Sequence, residues 1–177
     1  MAMRPGGPMI TLLLFVDRAI AALSRAALGL SAVAVIALLL IGAVDRLSTE
    51  FLLLPIPSAI EFQQAIEAGM IFLALAGVQM FDSHIKIDIL SETLGAKFRS
   101  FSQFFGLLVM VVFLGLLTVQ SYMFALRSWN VGERSSGRVD FPLYYFKMLV
   151  CAGLVIAFLE AFRQLVRIVV TGRPMNS

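Results

Sequence analysis

Between Arg99 and Arg127 the chain runs for 27 residues, Ser100 to Leu126, without a charged side chain. About 20 apolar residues cross a hydrocarbon core of roughly 30 Å as a helix, so this run is long enough to span with some tilt or with interfacial ends. A water-soluble domain could hold it only by burying it on all sides. The composition leaves nothing to do so: 60% of the 177 residues are hydrophobic and 14% are charged, against about 25% charged in soluble domains. Lipid offers the backbone no partners, so a spanning segment must satisfy its own amides. Unbroken apolar runs of this length select helices for that task.

Three further stretches obey the same rule. Ala26 to Val44 is uncharged, and Phe62 to Phe81 carries only Glu67. The fourth, residues 143–166, is uncharged only from Met148 to Leu159. It includes Lys147, Glu160 and Arg163, charges near helix ends where long basic side chains snorkel to the headgroups. The predicted fold class is an all-α integral membrane protein, a single membrane domain over residues 1–177. Its four transmembrane helices are 26–44, 62–81, 103–126 and 143–166, joined by one or two interfacial amphipathic helices.

Residues 9–25 are expected to form the first of these. Thr11, Arg18 and Arg25 recur every seven residues with Asp17 and Ser24 beside them, while Leu12, Phe15, Val16, Ala19, Ile20 and Leu23 fill the remaining circumference. Such a helix can lie in the interface before the chain turns into the first span. A long first span with a polar extension is the alternative. A cleaved leader fits less well, because Asp17 and Arg18 follow the short apolar run at once. Residues 83–95 form the second interfacial segment, where Ile85, Ile87 and Ile89 alternate with Lys86 and Asp88. His84 at its start reads first as a headgroup-level residue that fixes a helix end. Pro55 and Pro57 should end any helix in the first outer loop. The loop 129–142, WNVGERSSGRVDFP, is expected to be mobile from its Gly and Ser content.

Lys and Arg counts set the orientation. Nine lie on the side of the termini: Arg4, Arg18, Arg25, Lys86, Lys97, Arg99, Arg163, Arg167 and Arg173. Five lie opposite: Arg46, Arg127, Arg134, Arg138 and Lys147. The excess places both termini in the cytoplasm. A net charge of +3 with the basic residues beside apolar segments suits anionic lipid headgroups and not nucleic acid, for which no motif is present. One Cys cannot close an intrachain disulfide, and one His cannot give the two axial imidazoles of a bis-histidine haem. No cofactor and no metal site is expected.

The intramembrane polar residues are Gln63, Glu67, Lys147 and Glu160. A charge at the bilayer centre costs roughly 2.5–3.5 kcal/mol on insertion scales, less toward the interface. Glu67 should therefore face protein or water: it either pairs with Lys147, which enters from the same outer side, or the two snorkel separately, or Glu67 faces a partner chain. Gly153, Ala157 and Ala161 recur every four residues, a stripe of small side chains that lets helices approach. Glu160 and Gln164 extend that face. Gly115, Thr118, Tyr122 and Ala125 offer a second contact face on the third span.

Gly77-Val78-Gln79-Met80-Phe81 followed by His84-Ile85-Lys86-Ile87-Asp88 resembles the small permease (DctQ-like) subunit of tripartite ATP-independent periplasmic (TRAP) transporters, which shows a His-Ile-x-Val/Ile-Asp signature at this point. Asp140-Phe141-Pro142-Leu143-Tyr144-Tyr145 is similar to that family's lead into its fourth span. Two features depart from it. Ser58-Ala59-Ile60-Glu61-Phe62 keeps one acid of the family's acidic pair, and Arg46-Leu47 lacks its aromatic. The resemblance implies a bacterial inner-membrane protein that partners a large permease and a periplasmic substrate-binding protein in sodium-coupled uptake of an organic acid. Glu61, Arg134 and Arg138 in the outer loops are the expected contacts for the binding protein. The chain would be an accessory subunit and not an enzyme, since nothing in it pairs a nucleophile with a base. The alternative is a self-contained proton-coupled transporter working as a dimer through Glu67.

Overall fold

A computed structural model describes residues 8–80, 96–135, 137 and 139–171. The interfacial segment 83–95, with His84, Ile85, Lys86, Ile87 and Asp88, lies outside the described residues, as does Arg138. Among the described residues four helices follow one another: α1 (Pro8–Leu52), α2 (Ala59–Met80), α3 (Ala96–Val131) and α4 (Tyr144–Thr171). Each contains a segment long and apolar enough to cross a membrane: Phe15–Leu52, Ala59–Met80, Phe104–Val131 and Tyr144–Val169. The protein is therefore a multi-pass membrane protein.

The expected turn between an interfacial helix at 9–25 and a first span at 26–44 is absent. α1 runs unbroken for 45 residues, about 67 Å at 1.5 Å per residue. The junction Ala21-Ala22-Leu23-Ser24-Arg25-Ala26-Ala27 is rich in the best helix formers and contains neither Gly nor Pro, so nothing there interrupts the amide ladder. α1 ends before Pro55, with Leu53 in the left-handed region at φ 56°. The chain then doubles back: Leu54 N–H donates to Ser48 O at 3.3 Å and Ile56 N–H to Asp45 Oδ1 at 2.9 Å. Ile56-Pro57-Ser58-Ala59 is a turn closed by Ala59 N–H to Ile56 O at 3.3 Å, with Ser58 at φ 58° in the place that favours glycine. α3 stops at Gly132, φ 63°. Glu133 N–H donates to Ser128 O and Gly132 N–H to Trp129 O, both at 3.0 Å, the two bonds of a Schellman cap.

α2 packs between α1 and α4, and among the described residues α3 packs on α4 alone. The core interleaves alanines with larger aliphatic side chains: Ala27, Leu73, Ala76, Leu114, Leu154, Ile156, Ala157 and Ala161. Gly153 sets the α2–α4 spacing, since a Cβ there would fall 2.6 Å from the backbone carbon of Phe72. Ala157 and Ala161 continue the same fully buried face. At Gly77 an added Cβ would fall 2.6 Å from Leu28, so α1 and α2 also touch closely. Of the third-span face, Gly115 meets Phe158 and Ala125 is buried, but Tyr122 points outward.

Candidate functional site

Two polar layers mark the ends of the packed region. Ser24 lies at one and Gly42, level with Gln63, at the other; a Cβ on Gly42 would sit 3.6 Å from Gln63 Oε1. The 18 residue steps from Ser24 to Gly42 rise about 27 Å, close to the thickness of a bilayer core.

The layer at the Ser24 end of the bundle, inner only in the sense of lying nearer the chain termini, joins three helices. Glu160 of α4 is wholly buried, and Arg163 one turn on grips it twice, Nη2 to Oε1 at 2.6 Å and Nε to Oε2 at 3.1 Å. Arg163 Nη1 also donates to Asp17 Oδ1 of α1 at 2.7 Å. Ser24 Oγ of α1 donates to Glu160 Oε2 at 3.4 Å and Gln164 Nε2 to Glu160 Oε1 at 3.1 Å. Gln164 reaches α2 as well: its Nε2 donates to Gln79 O at 2.5 Å, and Gln79 Nε2 returns a bond to Gln164 Oε1 at 3.0 Å. Every oxygen of the buried carboxylate has a donor, as a buried charge requires. The spacing i, i+3, i+4 places Glu160, Arg163 and Gln164 on one face. Asp17 and Ser24, two turns apart on α1, meet that face. Both oxygens of Glu160 are thus taken up by donors from within the chain; the chemistry of the set is that of a clasp.

The outer layer is a cap. The loop after α3 is fastened rather than loose. Ser135 N–H donates to Phe141 O at 2.8 Å and Leu143 N–H to Glu133 O at 3.1 Å, around an isolated bridge between Arg134 and Pro142. Ser58 Oγ accepts from Val139 N–H at 2.8 Å. Gly137 presses on Ser58 and Glu61, for an added Cβ would lie 2.6 Å from Ser58 Oγ and 2.9 Å from Glu61 Oε1. Phe62, Phe141 and Phe146 form an edge-to-face trio with centroids 5.6–6.0 Å apart, and Trp129 stands edge-on to Tyr144 at 5.1 Å. These rings gather at one end of the helix bundle, as the members of an aromatic belt do. Gly and Ser content hides these anchors, which lie elsewhere in the sequence, at Ser58 and Phe62.

The Glu67–Lys147 pair does not form. Lys147 Nζ binds Glu133 Oε2 and lies 4.1 Å from the Phe124 ring centroid. Lys147 is half-buried and reaches outward to the loop, while Glu67 is exposed on α2. The Lys147 ammonium holds the Glu133 carboxyl below the ordinary range. Arg134 pairs with Asp140 at 2.8 Å, both more than half exposed. Gln63 is half-buried against α1.

The clasp was only partly visible in the sequence. Glu160, Arg163 and Gln164 stand out by spacing, but Gln79 was read only as part of a motif. Asp17 and Ser24 were read as the polar edge of a surface helix, and their seven-residue separation is the signal that could have matched them to α4.

A family described as tripartite ATP-independent periplasmic transporters, DctQ component, matches residues 38–171. No curated protein and no solved structure matches the chain.

Proposed function

Because the chain belongs to the DctQ component family of the tripartite ATP-independent periplasmic transporters, we propose that it is the small, non-catalytic subunit of such a transporter. In this reading it sits in a bacterial inner membrane with both termini cytoplasmic. It scaffolds a large permease and helps to dock a periplasmic substrate-binding protein for sodium-coupled uptake of an organic acid. Beyond the family, the observation that carries the reading is the saturation of the inner clasp. The buried charges Glu160 and Arg163 satisfy each other and their neighbours, which suits a scaffold, whereas an ion-coupled site keeps ligands open at mid-depth. The dimeric alternative needs Glu67 in a wet cavity, but Glu67 stands on the exposed flank of α2.

The motif His84 to Asp88 would then fix the interfacial level on the cytoplasmic side. Glu61 and Arg134, with Arg138, would meet the soluble binding protein on the outer side, together with the segments 45–60 and 127–142. The test is reconstitution in liposomes of the chain with and without its large permease and binding protein. Uptake that needs all three supports the proposal. Uptake by the isolated chain refutes it. Arg134→Ala with Arg138→Ala should slow binding-protein-dependent uptake at limiting binding protein; an unchanged rate removes that docking role.

A further inference from the structure

Ser58-Ala59-Ile60-Glu61, at the start of α2, has the Ser-x-x-Glu spacing of a capping box. In a closed box the serine hydroxyl accepts from the amide three residues on, and the glutamate carboxylate accepts from the serine's own amide. Ser58 is the capping residue, since its carbonyl accepts the first helical bond, from Phe62 N–H at 3.0 Å. Yet the box stands open. Among the described residues the Ser58 hydroxyl accepts from Val139 N–H at 2.8 Å, 81 residues away, and not from Glu61 N–H. The Glu61 carboxylate lies against Gly137, where an added Cβ would fall 2.9 Å from Oε1 and 2.6 Å from Ser58 Oγ. Ser58 also holds a left-handed φ of 58°, whereas a capping residue is ordinarily extended. Such a conformation persists only where the surroundings over-determine it. Both side chains of a local motif thus serve a distant segment.

That segment, the α3–α4 connection, is held together by bonds that do not involve α2. It leaves α3 at Gly132, itself left-handed at φ 63°. Its two arms are joined by Ser135 N–H to Phe141 O, by Leu143 N–H to Glu133 O and by the Arg134–Asp140 pair. Its hold on α2 is the Ser58 hydroxyl, the Gly137 contact and the Phe141 ring on Phe62 at 5.6 Å. With the connection lifted, Phe62 keeps Phe146 of α4 at 5.8 Å. The first amides of a helix have no partner within it, and Ser58 and Glu61 are spaced to satisfy two of them once released. Lifting is therefore offset on α2 by side chains already in place.

We propose that Ser58 and Glu61 form a two-way latch. In the structure they fasten the α3–α4 connection. When the connection lifts, they turn back, Ser58 relaxes to an extended φ, and the capping box closes on α2. The motif then has two discrete arrangements, each with its polar groups partnered, as a switching element requires. The latch goes beyond the accessory-subunit reading and stands whether or not that reading holds.

Amide hydrogen exchange of the full chain in micelles reads both arrangements. Two variants lift the connection by different means. Gly137→Ala drives a methyl against Ser58 and Glu61. Phe141→Leu removes a ring from Phe62 without adding bulk. In either, the Val139 amide should exchange at least about fivefold faster, the factor carried by one neutral hydrogen bond. The amides of Ser58 and Glu61 should change the other way, slowing about fivefold as the box closes. Adding Ser58→Ala to either variant should abolish the slowing at Glu61, and adding Glu61→Ala the slowing at Ser58. Ser58→Gly alone suits the left-handed φ but lacks the hydroxyl, so it should speed Val139 without slowing Glu61. A wild-type Val139 rate in Ser58→Gly overturns the latch. So do Ser58 and Glu61 amides that stay unchanged or speed up in the lifting variants, a result that makes Ser58 a one-way anchor. Should one lifting variant fail to fold, the other decides.

Discussion

Replacing Arg163 by Met tests whether the inner clasp holds α1, α2 and α4 together. The substitution keeps an unbranched apolar stem and removes the cation. Glu160, fully buried, then loses its two bonds at 2.6 and 3.1 Å and keeps only Gln164 and the long contact from Ser24. Breaking a buried ion pair from one side costs about 3–5 kcal/mol. The two remaining neutral donors, worth about 1 kcal/mol each, hold the loss to about 3 kcal/mol. Asp17 adds little, since its side chain is 46% exposed and can turn to water. Glu160→Gln is milder, about 1.5 kcal/mol, because Arg163 retains Asp17 at 2.7 Å. The double variant removes both charges and should lose only about 2 kcal/mol, leaving a coupling energy near 2.5 kcal/mol between neighbours that share one network. Equilibrium unfolding in mixed micelles, followed by far-UV circular dichroism, measures all three. Losses that add to within about 0.5 kcal/mol, or an Arg163→Met loss below about 1 kcal/mol, would refute the argument.

Gly153→Ala should destabilise by about 1–3 kcal/mol in the same assay, because the new methyl meets the Phe72–Leu73 backbone, which cannot yield. Gly69→Ala should cost less than Gly153→Ala, since the atom it meets at 2.7 Å is the end of the Leu149 side chain. Glu133 has a folded pKa below its unfolded value, so its contribution is present above the unfolded value near 4.5 and is lost as pH falls through the folded one. Lys147→Met should remove that acid-side loss from a thermal-melt pH series. Arg134→Ala should leave the melting temperature unchanged within about 1 °C, for its pair with Asp140 is more than half exposed and exposed pairs contribute little.

The spans were legible because their signal is local. Uncharged length and the four-residue spacing of Gly153, Ala157 and Ala161 can be read along one helix without knowing its neighbours. Partners could not be read that way. Lys147 was matched to Glu67 by depth alone, yet depth leaves the angle around the helix open, and at that angle Lys147 meets Phe124 and Glu133 instead. The same limit hid the clasp, whose parts lie 136 and 146 residues apart, Ser24 from Glu160 and Asp17 from Arg163. The unbroken α1 is a different case. Its amphipathic first half was visible, but a polar stripe is equally at home on a membrane surface or against a partner's polar face, and Asp17 and Ser24 take the second option.

The placement of the polar groups bears on why the fold is open rather than closed. In lipid, apolar burial between helices contributes little, because hydrocarbon tails solvate Leu as well as another Leu does; packing of small residues and interhelical hydrogen bonds must hold the helices. Both kinds of contact are concentrated on α1, α2 and α4: Gly77 on Leu28, Gly153 on Phe72, and the clasp at the inner end. α3 has neither in comparable density. Among the described residues it touches α4 alone, through Gly115 on Phe158, with aromatic contacts between Trp129 and Tyr144 and Tyr145 at its outer end. Three helices are thus locked by directional contacts, and the fourth is held along one edge. A chain built this way makes a firm inner wedge with broad apolar flanks, a shape whose flanks remain for other membrane-embedded surfaces to cover.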